Sequence, residues 1–226
     1  MSKTNIDWTD TITNMELDET LFFYAKDDNF IINNLLCGTL DSVWEVVELV
    51  VNDNKGMLKE HEDGVRTLDK KSIERFQSRI YEKIDDEAKA KIIKTAKNDI
   101  SIILNAMKPT KNKIMLYRII SITSPFRAHS KSLSHNVNDI VEFKNISSTS
   151  IAPFREFAGD TDFYEYEITV PENGYVLELD ELCHNEDGEV LLPPMKCKIT
   201  NIRTSDNEKC KGIIELEYIE KLPINF

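Results

Sequence analysis

The chain of 226 residues is long enough to bury roughly 70 to 75% of its unfolded surface, so the fold needs neither disulfide bonds nor a structural metal. Its 28 Lys and Arg against 40 Asp and Glu leave a net charge of −12, which argues against binding of nucleic acid or anionic membranes through bulk charge. Hydrophobic residues make up 41% of the chain, which excludes an intrinsically disordered protein.

The first half of the chain has helical hydrophobic patterns. We predict helices over 18–26, 40–51 and, in two pieces, 69–107. The polar segment 53–69 is expected to be a connection, and the last helical region is expected to break near Asp85 and Asp86. Pro109 ends this region, because proline lacks the backbone N–H that a helix needs.

After Pro109 the pattern changes to short β-branched and aromatic runs separated by polar turns. We predict strands over 113–123, 141–148, 163–170, 174–179, 189–192, 195–203 and 212–219. No linker separates the two halves. The sequence therefore predicts a single α+β domain over 1–226, with a helical half at 1–110 and a strand-rich half at 111–226.

Segments for membrane insertion, secretion or metal binding are not expected. The longest apolar stretch, 43–51, contains two glutamates and is far shorter than the roughly 20 residues that cross a bilayer. The N-terminus has no apolar run typical of a signal peptide. The cysteines are far apart and lack metal-ligand spacing, so we expect reduced thiols and no metal site.

Three short motifs lie in the strand-rich half: Tyr117-Arg118, Ser148-Thr149-Ser150 and Asp187-Gly188-Glu189. Each has an ordinary explanation. A strand arginine can pair with a surface carboxylate, Ser-Thr-Ser is common at strand ends, and Asp-Gly favours a hairpin turn. Together, however, they occur in order and between predicted strands, with intervals of 30 and 41 residues between Arg118, Ser148 and Glu189.

In this order the motifs resemble the Arg-Ser-Glu class of mono-ADP-ribosyltransferases, which includes bacterial exoenzymes and phage ADP-ribosyltransferases. The resemblance extends over roughly 30–219, since 32–38 is similar to the family's helical Asn…Leu-Arg-Gly segment and 168–171 to its strand-Pro element. It implies an ADP-ribosyltransferase-like α+β fold in which N-terminal helices pack on a two-sheet β core.

The resemblance also implies that NAD is the substrate and that nicotinamide is released. Glu189 would be the catalytic carboxylate that stabilises positive charge on the ribose, and Ser148 would hold that carboxylate. Arg118 would bind the NAD phosphates through its planar guanidinium. The other residues expected to contact NAD are Tyr117, Thr149, Ser150, Phe154 and Arg155.

Two positions depart from the family pattern. Cys37 stands where the family has arginine, and Asp187 stands where it has Glu or Gln. In the family, an acid at the second position accompanies transfer to arginine, so Asp187 is expected to act in catalysis on an arginine acceptor. The sequence leaves open an NAD glycohydrolase, a nucleic-acid ADP-ribosyltransferase and a catalytically degenerate member that binds a partner.

The implied partner is a macromolecular acceptor, and the net charge of −12 favours a protein over a nucleic acid. An antitoxin or inhibitor is left open as a second partner, and no membrane partner is expected. The protein is expected in the cytoplasm, or delivered into a host or target cell without a classical signal peptide. Toxin, effector, defence and phage origins all fit the sequence.

Overall fold

The computed structural model describes residues 15–24, 29–65, 67–68, 70–122, 136–153, 161–179 and 188–224. The chain divides into two compact units, a helical unit at Met15–Ile103 and a strand-rich unit that includes the residues from Leu104 onward. This division lies close to the predicted boundary between the two halves. That the halves form one domain over 1–226 stays a prediction.

The described part of the helical unit contains five helices, α1 Met15–Phe23, α2 Asn29–Cys37, α3 Trp44–Glu62, α4 Lys70–Ser78 and α5 Asp86–Ala106. The predicted break near 85–86 is confirmed, since Asp85 Oδ1 accepts a hydrogen bond of 3.0 Å from the Ala88 N–H and caps α5. The predicted connection over 53–69 is wrong for 53–62, because α3 continues to Glu62; the described residues from 63 to 68 are not helical. A glycine within a helix costs only about 1 kcal/mol, which burial of the apolar Val47 and Val51 side chains on α3 can offset.

A buried ion pair and an aromatic cluster stabilise the helical unit. Arg79 Nη1 lies 2.9 Å from Asp99 Oδ2, and the two side chains are 14% and 4% exposed. The Arg79 guanidinium also stacks 4.1 Å from the centre of the Phe23 ring, which meets Phe76 edge to face. The Arg79 side chain, which follows α4, thus contacts both α5 and α1.

The strand-rich unit contains nine strands among its described residues. They are β1 Lys108–Pro109, β2 Ile114–Ser121, β3 Ile140–Phe143, β4 Ser147–Ser150, β5 Phe163–Val170, β6 Tyr175–Leu179, β7 Glu189–Leu192, β8 Met195–Arg203 and β9 Cys210–Lys221. Their order in the sheet is β1-β6-β7-β4-β2-β5-β9-β8-β3. Neighbours are antiparallel except β5 and β9, which are parallel.

The predicted two-sheet core is not observed, because backbone hydrogen bonds join the described strands into one nine-stranded sheet. Among the described residues, a single pair, Tyr117 with Ser150, joins two ladders, β1-β6-β7-β4 and β2-β5-β9-β8-β3. The strand predicted over 141–148 is also divided, since β3 forms an edge of the sheet and β4 lies near its centre.

One hydrophobic cluster spans both ladders. Val190 and Leu192 contribute from β7, while Leu116 on β2 and Ile214 on β9 contribute from the other ladder. Because side chains alternate along a strand, the residues between these positions project away from the cluster. Glu189, immediately before Val190, is therefore placed on the opposite face of β7. Among the described helices, none has the length and hydropathy that a bilayer span requires.

Candidate active site

Glu189 stands at a point where three neighbouring strands begin or end. It is the first residue of β7 and pairs with Ser150, the last residue of β4. On the other side it pairs with Leu179, the last residue of β6. The half-buried Glu189 therefore lies at the rim of the sheet, where strands on both sides fix its backbone and its side chain keeps some access to solvent.

The Ser-Thr-Ser motif has three different hydrogen-bonding roles in the structure. The Ser148 hydroxyl donates to Oε1 of Glu189. Thr149 Oγ1 donates to the backbone oxygen of Val190 at 2.6 Å, and Ser150 Oγ donates to the backbone oxygen of Ala152 at 2.5 Å. Only Ser148 reaches the carboxylate. A hydroxyl that donates to an ionised carboxylate makes a strong, charge-assisted bond, so Ser148 fixes the orientation of the Glu189 side chain.

Tyr117 shares a face of the sheet with this pair. It is paired with Ser150, which is paired in turn with Glu189, and directly paired residues project on the same side. Tyr117, Ser150 and Glu189 thus form a row across β2, β4 and β7. The structure brings this aromatic residue, hydroxyl and carboxylate to one surface, although the role of each in NAD binding stays a prediction.

Arg118 follows Tyr117, and its side chain begins on the opposite face of β2. It shares that face with Leu116 and pairs across the sheet with Tyr166 on β5. The Nε and Nη1 atoms of Arg118 are buried. Burial raises the pKa of the Tyr166 hydroxyl, and the positive charge of Arg118 opposes that rise. The structure therefore places the Arg118 charge beside Tyr166, next to the only position at which β2 and β4 pair among the described residues.

Three of the predicted site residues, Phe154, Arg155 and Asp187, lie outside the described residues. Cys37, the departure from the family's arginine, is the half-buried last residue of α2. Gly38 follows it with a φ of 70°, the left-handed conformation in which glycine commonly ends a helix. Within the ranges described, no group of three or more His, Cys, Asp or Glu side chains could hold a metal ion.

A charged group that the sequence motifs did not indicate lies next to Tyr117. Glu167 pairs with Tyr117 across the sheet and forms an ion pair with Arg203, whose Nε also lies 3.0 Å from Glu215 Oε1. Asn201 Nδ2 donates a further hydrogen bond of 3.1 Å to Glu215. The only sequence signal was a glutamate within the apolar run of β5, and its partners lie 36 or more residues away in the chain.

No protein-family model and no curated protein sequence match this chain. Solved structures do match. The catalytic domain of VahC from Aeromonas hydrophila aligns with a TM-score of 0.55 and 16% identity over 92% of this chain and 100% of that chain. The SpvB ATR domain from Salmonella aligns with a TM-score of 0.55 and 15% identity, over 91% of this chain and 99% of that chain. The ADP-ribosyltransferase Vis, in complex with agmatine, aligns with a TM-score of 0.50 and 12% identity, over 93% of this chain and 77% of that chain.

At these identities the likeness is one of fold. The protein has an α+β fold of the ADP-ribosyltransferase type, which confirms the fold class predicted from the sequence. The described site supplies a carboxylate held by a hydroxyl at the rim of that fold.

Proposed function

Starting from this fold, we propose that the protein is an NAD-dependent mono-ADP-ribosyltransferase that transfers ADP-ribose to an arginine side chain of a protein and releases nicotinamide. The observation that carries the proposal is the hydrogen bond from Ser148 to the Glu189 carboxylate at the end of three strands. This pair joins the second and third sequence motifs, which are 41 residues apart in the chain.

Glu189 is assigned the electrostatic role in the reaction. The bond between ribose C1′ and the nicotinamide nitrogen breaks, and its electron pair leaves with nicotinamide. Positive charge develops on the ribose, and a carboxylate beside it stabilises that charge. Because Ser148 already holds the Glu189 carboxylate, little reorganisation is needed when the charge forms.

Arg118 is assigned the NAD phosphates, because a planar guanidinium can donate two charge-assisted hydrogen bonds to a phosphate. The Arg118 side chain begins on the face of β2 opposite Glu189. It would reach the substrate beside the Tyr117–Ser150 pair, where β2 and β4 make no other pairing in the described structure. Tyr117 and Ser150 are assigned to the same substrate because they share the face of Glu189. Thr149, Phe154 and Arg155 remain proposed NAD contacts.

Asp187 is assigned to binding and deprotonating the acceptor. Its carboxylate would hold the arginine guanidinium in a forked pair and accept the proton that is released when the acceptor nitrogen bonds to ribose C1′. The Vis structure supports a guanidinium acceptor, since agmatine carries the same guanidinium group as arginine. The charge of −12 favours a protein as the source of that group over nucleic acid.

The test is incubation with labelled NAD, with and without a cell lysate. Nicotinamide release that depends on lysate, together with ADP-ribose located on arginine by mass spectrometry, is the expected result. Asp187→Ala should abolish transfer and spare slow NAD hydrolysis, whereas Asp206→Ala, in a described surface turn, should change neither.

Other outcomes would replace the proposal. Nicotinamide release that is equally fast with and without lysate, with no labelled acceptor, would identify an NAD glycohydrolase, and label on RNA or DNA would identify a nucleic-acid ADP-ribosyltransferase. Absence of release under both conditions would identify a partner-binding member without turnover. Transfer that survives Asp187→Ala would remove the acid from the acceptor site.

A further inference from the structure

The face of β2 on which Arg118 begins is otherwise apolar. The alternate positions of β2 on that face hold Ile114, Leu116 and Ile120, and the last two are buried in the hydrophobic cluster that spans the sheet. Moving a guanidinium from water into such surroundings costs free energy unless polar atoms of the protein stabilise the charge. A polar group on the same face is therefore needed to offset the cost of Arg118.

Tyr166 supplies a polar group at this position. It pairs directly with Arg118 across β2 and β5, so the two side chains begin on the same face. Tyr166 is only 1% exposed, and its phenolic oxygen can accept a hydrogen bond from a guanidinium N–H. Burial raises the pKa of Tyr166, and the charge of Arg118 opposes that rise. The guanidinium is thus close enough for its charge to act on the Tyr166 hydroxyl.

Packing holds the Tyr166 ring in place. The ring meets that of Phe143 edge to face, with 5.8 Å between the ring centres and an angle of 76° between the planes. On the side of the strand away from Arg118, Tyr166 pairs with the buried Ile214 on β9. Close-packed neighbours leave a buried side chain little freedom to move. The Tyr166 hydroxyl is therefore a fixed group of the core.

Arg118 itself is only partly enclosed. Its Nε and Nη1 atoms are buried, whereas the residue as a whole is half-buried. One edge of the guanidinium thus lies within the protein, while part of the side chain keeps access to solvent. The guanidinium is planar and rigid, so holding one edge also sets the direction of the other. A phosphate-binding arginine that is oriented in advance loses less entropy when its ligand binds.

We infer that Tyr166 is a positioning residue of the proposed transferase: its buried hydroxyl, directly across β2 and β5 from Arg118, fixes the orientation of the guanidinium that binds NAD. The inference rests on the proposed function, in which Arg118 contacts the NAD phosphates. Because the phosphates are bound both before and during cleavage, Tyr166 acts on NAD affinity and not on the rate of cleavage. This separates it from Ser148 and Glu189, which are assigned to the cleavage step.

The test compares two Tyr→Phe substitutions within one hydrophobic cluster. Tyr166→Phe removes the hydroxyl and keeps the ring that packs on Phe143. Tyr218→Phe is the matched control, since Tyr218 is 6% exposed in the same cluster but pairs with Cys197 on β8. Calorimetry measures the Kd for NAD, and steady-state nicotinamide release gives kcat and KM. Urea unfolding measures the stability of both variants.

In Tyr166→Phe, NAD binding should weaken about tenfold, the lower end of the range for a hydrogen bond to a charged group. KM should rise with Kd, and kcat should stay within a few fold of the unchanged protein. Tyr218→Phe should leave Kd and KM unchanged, although it also loses a buried hydroxyl. In an Arg118→Lys background, Tyr166→Phe should have little effect on Kd, because the fork that Tyr166 orients is already absent.

An unchanged Kd in Tyr166→Phe would overturn the inference while leaving the proposed function in place. An equal loss of affinity in Tyr218→Phe would overturn it as well, because general loosening of the core would then be responsible. A loss of the same size in the Arg118→Lys background would show that Tyr166 acts independently of Arg118. If the unchanged protein does not bind NAD, the proposed function fails first, and this inference fails with it.

Discussion

Glu189→Gln is the most direct perturbation of the site, because it removes the negative charge and keeps the shape. The amide retains an Oε1 atom that can accept the hydrogen bond from Ser148, so the side chain should stay in place. Glu189 is half-buried, which corresponds to an effective dielectric constant near 20. A unit charge about 4 Å from a developing positive charge then contributes about 4 kcal/mol. Loss of such a group lowers rates by roughly two to three orders of magnitude.

The assay is single-turnover nicotinamide release at saturating NAD, with NAD affinity measured in parallel by calorimetry. We expect the rate to fall and the affinity to change by no more than a few fold, because the charge acts mainly in the transition state. Glu142→Gln is the control, since it removes one charge from edge strand β3, where Glu142 lies 4.0 Å from Lys196. A Glu189→Gln variant that releases nicotinamide within a few fold of the unchanged protein would refute the assignment.

Three further predictions concern the phosphates, the helical unit and alkaline pH. Arg118→Lys keeps the charge but loses the planar fork, so calorimetry should show NAD binding weaker by about 1.5 to 3 kcal/mol, and unchanged affinity would remove Arg118 from the site. Asp99→Asn leaves the Arg79 charge buried without its partner carboxylate, so urea unfolding should show a free energy of unfolding lower by about 3 to 5 kcal/mol. The control Glu74→Gln, at an exposed ion pair, should lower it by about 1 kcal/mol or less. Similar losses in the two variants would contradict the role of the buried pair. Burial raises the pKa of the Cys197 thiol to about 12, so the unfolded chain loses this proton first, and the free energy of unfolding should fall between about pH 8.5 and 12. Cys197→Ala should make that fall shallower by up to about 1.4 kcal/mol per pH unit, and identical slopes would contradict the assignment.

Much of the secondary structure follows from local sequence. The helical spacing before Pro109 and the β-branched runs after it were sufficient to place α5 and most strands. The division of 141–148 into β3 and β4 was missed, although Asn145 was a signal. Its buried side chain donates to the Ile146 backbone oxygen at 3.0 Å and to Ser147 Oγ, which satisfies polar groups at the break between the strands.

Sheet order was less accessible than strand position. β3 pairs with β8 and β4 with β7, so two strands separated by three residues in the chain have partners 39 to 58 residues further along. No local pattern encodes that choice, because it depends on which apolar faces pack together. The expectation of two sheets is wrong because one pair, Tyr117 with Ser150, joins the two ladders. This pairing, too, depends on packing and is not encoded by a local pattern.

For the candidate site, the sequence motifs predicted which residues would lie near one another, and the structure shows the contacts and the sheet faces of those that it describes. The contact between Ser148 and Glu189 was expected from the resemblance, and the Asp-Gly dipeptide already indicated a turn before Glu189. The face on which Arg118 begins could not be assigned, since it depends on the register of β2 against β5. The packing of Ile151 over Gly188 had no sequence signal at all.

The single Tyr117–Ser150 pair has a consequence for how the sheet comes apart. Backbone hydrogen bonds cannot couple the two ladders strongly when they share one paired position. The apolar cluster that Val190, Leu116 and Ile214 build across that position can do so. Cooperative unfolding of the strand-rich unit therefore depends on side-chain packing, and amide hydrogen exchange should show one slow-exchanging body with its weakest protection at the junction of β2 and β4.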